Sequence, residues 1–190
     1  MPNEIWNTVY FEKTGPENTN DTLRLAKERA ERLGIRNIVV ASSTGSTGAK
    51  ASEVFKGYNL IIVTRVTGFK EPNFQEFDQK NSLEAETNGA KIITAAHAFG
   101  TLGRAVNRKF QAIQVDEIIA HVLRLFGAGV KVACEISCMA TDAGLIRTNE
   151  DVIGIGGTGG GADAAIVVRA ANTHNFFDMR IREIICKPRM

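Results

Sequence analysis

At 190 residues, 44% apolar and 23% charged with 18 glycines, the chain has the composition of one globular domain over 1–190, which excludes a disordered, collagen-like or fibrous protein. Lys plus Arg total 23 against 21 Asp plus Glu, with the signs interleaved. No basic stripe marks a nucleic-acid or membrane face, so the predicted partner is a small molecule.

Lys131, Glu135 and Asp142 or Asp163 break every long apolar stretch below the roughly 18 residues that a spanning helix needs. The start, MPNEIWNTVY, carries no export signal, which predicts a cytoplasmic protein. Cys134, Cys138 and Cys186 make an odd count and read as reduced thiols. With no CxxC pair or His-x-x-His group beside them, no metal site is expected.

Residues 8–11 form a short β-prone run, followed by a turn at residues 13–16 and a capping Asn20 or Asp21. Over residues 22–33, Leu23, Ala26, Ala30 and Leu33 share one helical face, and Gly34 supplies the stop. The β-branched run at residues 38–41 reads as a strand covered on both faces. A short helix at residues 49–55, ended by Gly57, leads to another strand at residues 60–63. Strand, helix, strand in this order implies parallel pairing by right-handed crossovers.

Residues 91–96 read as a further strand. Residues 115–126 form a strongly amphipathic helix, with Val115, Ile118, Ile119, Val122, Leu123 and Phe126 on one face, expected to dock on the sheet. Residues 130–139 read as a strand carrying Glu135, followed by strands at 152–155, 165–169 and 179–186. The expected architecture is a three-layer α/β/α sandwich, its sheet mostly parallel with some antiparallel strands late in the chain.

Ser42, Ser43, Thr44, Gly45, Ser46, Thr47 and Gly48 lie directly between a strand and a helix. Hydroxyls, glycine-exposed amides and a helix N-terminus are the donors that a phosphate needs, although the same residues can also merely cap a helix. Residues 154–163 contain a formal G-x-G-x-x-G, but a strand-like run follows it, which rules out a dinucleotide fingerprint. Gly156, Gly157, Thr158 and Gly159 therefore read either as a hairpin or as a backbone surface approached by a ligand.

In open α/β sheets ligands sit beyond the carboxyl ends of the strands. That rule selects Arg65, Thr67, Gly68, His97, Thr141 and Asp142 as further candidates. Arg65 could bind a phosphate or form a surface ion pair. His97 could meet a ligand or serve structure, and Asp142 could bind a hydroxyl or cap a turn. The irregular stretch 66–77 has the position of a lid, in which Phe69, Phe74 or Phe77 could cover a flat ring or simply seat the segment on the core.

Residues 22–65, with the hydroxyl loop after Ile38, Val39 and Val40 and the strand ending Val63, Thr64, Arg65, resemble the C-terminal α/β domain of pyruvate kinase. In that family a Thr-x-Ser-Gly-x-Ser loop holds a sugar phosphate; Ser42, Thr44, Gly45 and Thr47 occupy the matching positions. Met179, Arg180 and Ile181 are similar to the family's final strand. No barrel domain is found in this sequence, so the resemblance implies no kinase activity. The chain looks closest to small stand-alone archaeal proteins built on this domain, and this resemblance implies FMN as cofactor.

The expected function is binding of a phosphorylated small molecule, with FMN implied by resemblance. The alternative is an enzyme: a flavin-dependent oxidoreductase, or a phosphosugar isomerase drawing its base from Glu135, Asp142 or His97. The Phe-containing insertion and the strand edges are compatible with a homo-oligomer.

Overall fold

The computed structural model describes residues 5–189. Its elements run β1 (Val9–Phe11), α1 (Thr19–Leu33), β2 (Asn37–Ala41), α2 (Ser46–Val54), β3 (Asn59–Val63), α3 (Gln79–Thr87), β4 (Lys91–Ile93), α4 (Thr101–Phe110), α5 (Val115–Arg124), α6 (Ala128–Asp142), β5 (Asp151–Gly156), β6 (Ala164–Arg169) and β7 (Arg180–Pro188). The seven strands form one sheet in the order β1-β7-β6-β5-β2-β3-β4. Only β6 runs antiparallel to its neighbours.

Two apolar clusters, one on each face, make the three layers. Leu23, Ala26 and Ala30 of α1 and Phe55 after α2 pack with Ile38, Val40 and Ile62. On the other face Val130, Ala133 and Ile136 of α6 cover Val39, Ile61 and Val63. Alternate residues of each central strand thus feed opposite clusters, which is why β2 and β3 read as unbroken apolar runs. Gly34 ends α1 in the left-handed region at φ 68°, letting Ile35 N–H reach back to Ala30 O at 2.9 Å.

Three expectations are corrected. Residues 130–139, read as a strand, lie inside α6. Twelve of the fifteen residues of α6 are buried, so it lacks the polar face from which helical periodicity is recognised. The amphipathic helix α5 does not dock on the sheet, because α6 already covers that face; α5 packs on α6 instead. Strand β4 is shorter than 91–96, ending at Ile93, and helices α3 and α4 occupy stretches for which no element was expected.

After β2 the chain proceeds to β3 and β4 on one side, and after β4 it returns to the other side of β2 for β5. The carboxyl ends of β2 and β5 therefore flank the point where the sheet order reverses, the place where such folds open a crevice.

Candidate functional site

The hydroxyl loop leaves β2 at that reversal. Gly45 begins α2 at φ 95°, and a Cβ placed there would lie 2.5 Å from Asn81 Cβ, so this turn requires glycine. Ser42 Oγ accepts the amide of Gly48 at 3.0 Å, capping the third residue of α2 from outside the helix. The back of the loop is held by α3: Asp78 N–H and Asn81 Nδ2 both donate to Thr44 O, at 3.1 and 3.0 Å. Asp78 in turn caps α3 through the amides of Lys80 and Asn81. The cap residue of α2 offers no side-chain acceptor, and with Gly48 and Ala49 bonded to Ser42 Oγ and Gly45 O, the Ser46 and Thr47 amides and the α2 dipole remain at the helix start beside the cleft wall.

That cleft, about 490 Å3, is lined by Ser42, Ser43, Thr44 and Thr47 on one wall and by Gly157, Gly159, Gly160 and Gly161 on another. Its cations are Arg65, Lys70, Arg104, Arg124 and Lys131, against the carboxylates Glu76 and Glu135. Glu76 bridges Arg65 at 2.7 Å and Lys70 at 2.6 Å, and the Lys70 bond first, then Arg65, holds its carboxyl below the usual range. On the floor, Lys131 Nζ pairs with Glu135 Oε2 at 2.5 Å, and Glu135 Oε1 accepts the amide of Phe99 at 2.9 Å. Burial pulls the Lys131 ammonium down, and Glu135 opposes that shift.

A second cavity of about 550 Å3 adjoins the first and shares Phe69, His97 and Arg104 with it; Thr67, Gly68, Gly100, Thr101 and Arg108 are among its other lining residues. The Arg65 and Arg104 guanidiniums sit 4.8 and 5.6 Å from the Phe69 ring centroid, and the His97 ring lies 5.8 Å from it. His97 Nε2 accepts Val66 N–H at 3.3 Å, which assigns a neutral ring with its proton on Nδ1. Burial above all, then Lys131, Arg104 and Arg65, lowers the His97 pKa against the pull of Glu135.

The expected site residues thus divide. Ser42, Ser43, Thr44, Thr47, Arg65, Thr67, Gly68, His97, Gly157 and Gly159 line the two cavities. Gly45 and Gly48 shape the backbone instead, a Cβ at Gly48 meeting Ile62 Cγ2 at 3.0 Å, and Ser46 is exposed outside the lining. Gly156 is buried in β5, where an added Cβ would collide with Gly129 O. Thr158 turns its hydroxyl inward toward Asp163. Thr141 and Asp142 end α6, about 15 Å along the helix from Lys131. Thr141 Oγ1 donates to Ser137 O at 2.8 Å, and Asp142 holds the segment after β6 through Asn172 and Thr173. Neither residue lines either cavity: what reads as a strand end is the last turn of a helix, just beyond Met139 in the cleft lining.

The glycine loop is anchored, not a free hairpin. Ala162 N–H donates to Thr19 Oγ1 at 3.0 Å, and Gly15 N–H donates to Asp163 Oδ2 at 3.1 Å. Asp163 is fully buried, and that burial raises its pKa. Of the aromatic candidates, Phe69 reaches the cavities, Phe77 packs against the core and Phe74 is half exposed. Lys131, Arg104 and Arg124 were missed; the i, i+4 spacing of Lys131 and Glu135 and the spacing of Leu102, Val106 and Phe110 were the available signals.

Among the described residues no group of three or more His, Cys, Asp or Glu could hold a metal, and no helix is long and apolar enough to cross a membrane. The three cysteines are buried and unpaired, and burial pushes each thiol up to about 12.

Two solved structures of pyruvate kinase from Cryptosporidium parvum are similar to 80% and 84% of this chain at 14% identity, with TM-scores of 0.42 and 0.41. This chain spans about a quarter of their length, 23% and 24%. An NH3-dependent NAD synthetase from Campylobacter jejuni, solved in complex with nitrate, is similar over 72% of this chain and 54% of its own, at 14% identity and TM-score 0.32. The family model described as the pyruvate kinase alpha/beta domain matches residues 20–168, and on that match the chain belongs to this family.

Proposed function

We propose that the chain binds a phosphorylated small molecule in the cleft, its phosphate against the 43–47 loop and the start of α2. The observation that carries this reading is the convergence of the α2 N-terminus, where the cap residue Gly45 supplies no side-chain acceptor, with Arg65, Arg104 and Lys131 on one open cleft at the sheet reversal. FMN is the ligand that the family resemblance implies, and the residues fit its two ends. Anion donors surround the loop, while Phe69 and two guanidiniums offer stacking surface where the cavities meet. Bound FMN would supply hydride or electron transfer.

Binding is favoured over phosphosugar isomerisation because no candidate base is free. Both Glu135 oxygens are engaged, His97 Nε2 accepts Val66 N–H, and Asp142, outside the cleft lining, has both oxygens bonded by Asn172 and Thr173. The test is mass spectrometry of small molecules released from the purified protein, followed by fluorescence titration with FMN and riboflavin. FMN should bind at least about 100-fold more tightly than riboflavin, which lacks the phosphate. Equal binding of the two, or none of either, overturns the FMN assignment. A competition titration with sugar phosphates then decides whether the phosphate subsite stands without the flavin.

A further inference from the structure

Among the described residues, eight of the seventeen exposed large apolar side chains fall within residues 102–126, five on helices α4 and α5 and three in the segments that join and follow them. Along α5 and its C-cap, Val115, Ile118, Val122 and Leu125 are 72%, 47%, 51% and 82% exposed, and on α4 Leu102 and Phe110 are 77% and 70% exposed. The opposite side of α5, Ala120 and Leu123, is the part buried against the core cluster that contains α6. Helix α4 is held chiefly by α5. Gly103 packs directly on the Asp116 carboxylate, and Asn107 Nδ2 donates to Glu117 at 3.1 Å. The pair is therefore a projecting helical hairpin whose apolar side faces solvent, and such a surface marks an interaction site.

We infer that this α4–α5 face is the interface of a two-fold symmetric dimer of the chain. With exposures of 47% to 82%, the six side chains offer an area on the order of the 800 Å2 that each partner contributes to a standard interface. The six stripe residues carry no charge, the composition of a homodimer core. Two-fold pairing buries the face against itself and closes the assembly with one kind of contact, whereas pairing with a different surface would build a ring or an open filament. A membrane surface is the competing occupant, but membrane-bound amphipathic helices keep their basic residues beside the apolar stripe. Here Arg104, Arg108 and Arg124 line the ligand cavities instead, leaving only Lys109 and His121 as the other basic residues of α4 and α5.

The same hairpin supplies Arg104 and Arg124 to the cleft, so dimerisation would steady the wall that carries them. Sedimentation equilibrium of the full chain from about 1 to 100 μM tests the inference at affinities typical of stable pairs. Wild type should sediment at twice the 20.6 kDa chain mass. The exposed double variant Val122→Glu, Leu125→Glu should sediment at the single-chain mass with an unchanged circular dichroism spectrum. The double variant Leu102→Lys, Phe110→Lys on α4 should do the same, and decides the matter if the first fails to fold. Leu83→Glu, at a residue 67% exposed on α3, should remain dimeric. Wild type found monomeric throughout, with or without binding to phosphatidylserine vesicles, overturns the inference, as does a dimer that survives both double variants.

Discussion

The ammonium of Lys131 and the carboxylate of Glu135, one turn apart on α6, pair at 2.5 Å beneath the cleft, only 3% and 5% exposed. Neither charge has a water-exposed alternative, so each depends on the other and on Phe99 N–H, which Glu135 also accepts.

Removing one partner should therefore cost more than removing both. Glu135→Gln retains an acceptor for Phe99 but strands the ammonium, at about 3 to 5 kcal/mol. Lys131→Met combined with Glu135→Gln should recover at least half of that loss in urea denaturation. Additive losses in this double-mutant cycle would show that the pair is not coupled.

His97 gives a pH prediction with a definite sign. Its pKa in the fold lies below the ordinary 6.5, chiefly through burial. Below that value the unfolded chain takes up a proton that the folded chain refuses, so stability rises with pH towards about 6.5 and is flat above it. His97→Gln should remove this part of the slope in denaturation midpoints between about pH 5 and 8. A variant slope identical to wild type would contradict the assignment.

Gly45→Ala should destabilise the fold by about 1 to 3 kcal/mol, because the new Cβ meets Asn81 and its φ of 95° suits only glycine. Thermal unfolding reads this directly. Asn81→Ala, which removes only the bond to Thr44 O, should cost about 1 kcal/mol.

Thr44→Ala with Thr47→Ala should leave folding nearly unchanged and weaken a phosphate-bearing ligand by about 1 to 3 kcal/mol in calorimetric titration. Unchanged affinity would remove the hydroxyls from the site.

Asp163→Ala should cost about 1 to 3 kcal/mol by leaving the Gly15 amide without its acceptor. Asp163→Asn keeps an oxygen there, and burial already disfavours the charge, so it should lose less in the same denaturation experiment. Equal losses in the two variants would assign the effect to the charge.

Local pattern was enough for α1, β2, β3, the late strands and the hydroxyl loop at the start of α2. In each, the apolar spacing, the glycine stop or the loop's position between strand and helix is a property of adjacent residues. Family membership and the alternation of elements follow from the same signals. The nature of α6 was decided by packing: enclosed between the sheet and α5, its apolar side chains show no solvent face by which a helix could be told from a strand. Once α6 is a helix, Lys131 and Glu135 join the cleft while Thr141 and Asp142 leave it, a choice that depends on which end of an element faces the sheet reversal. The outward stripe of α5 has the same origin. Amphipathicity in the chain specifies one apolar side, but only the tertiary structure, with α6 already occupying the sheet, decides that Val115, Ile118 and Val122 face solvent while Ala120 and Leu123 turn to the core.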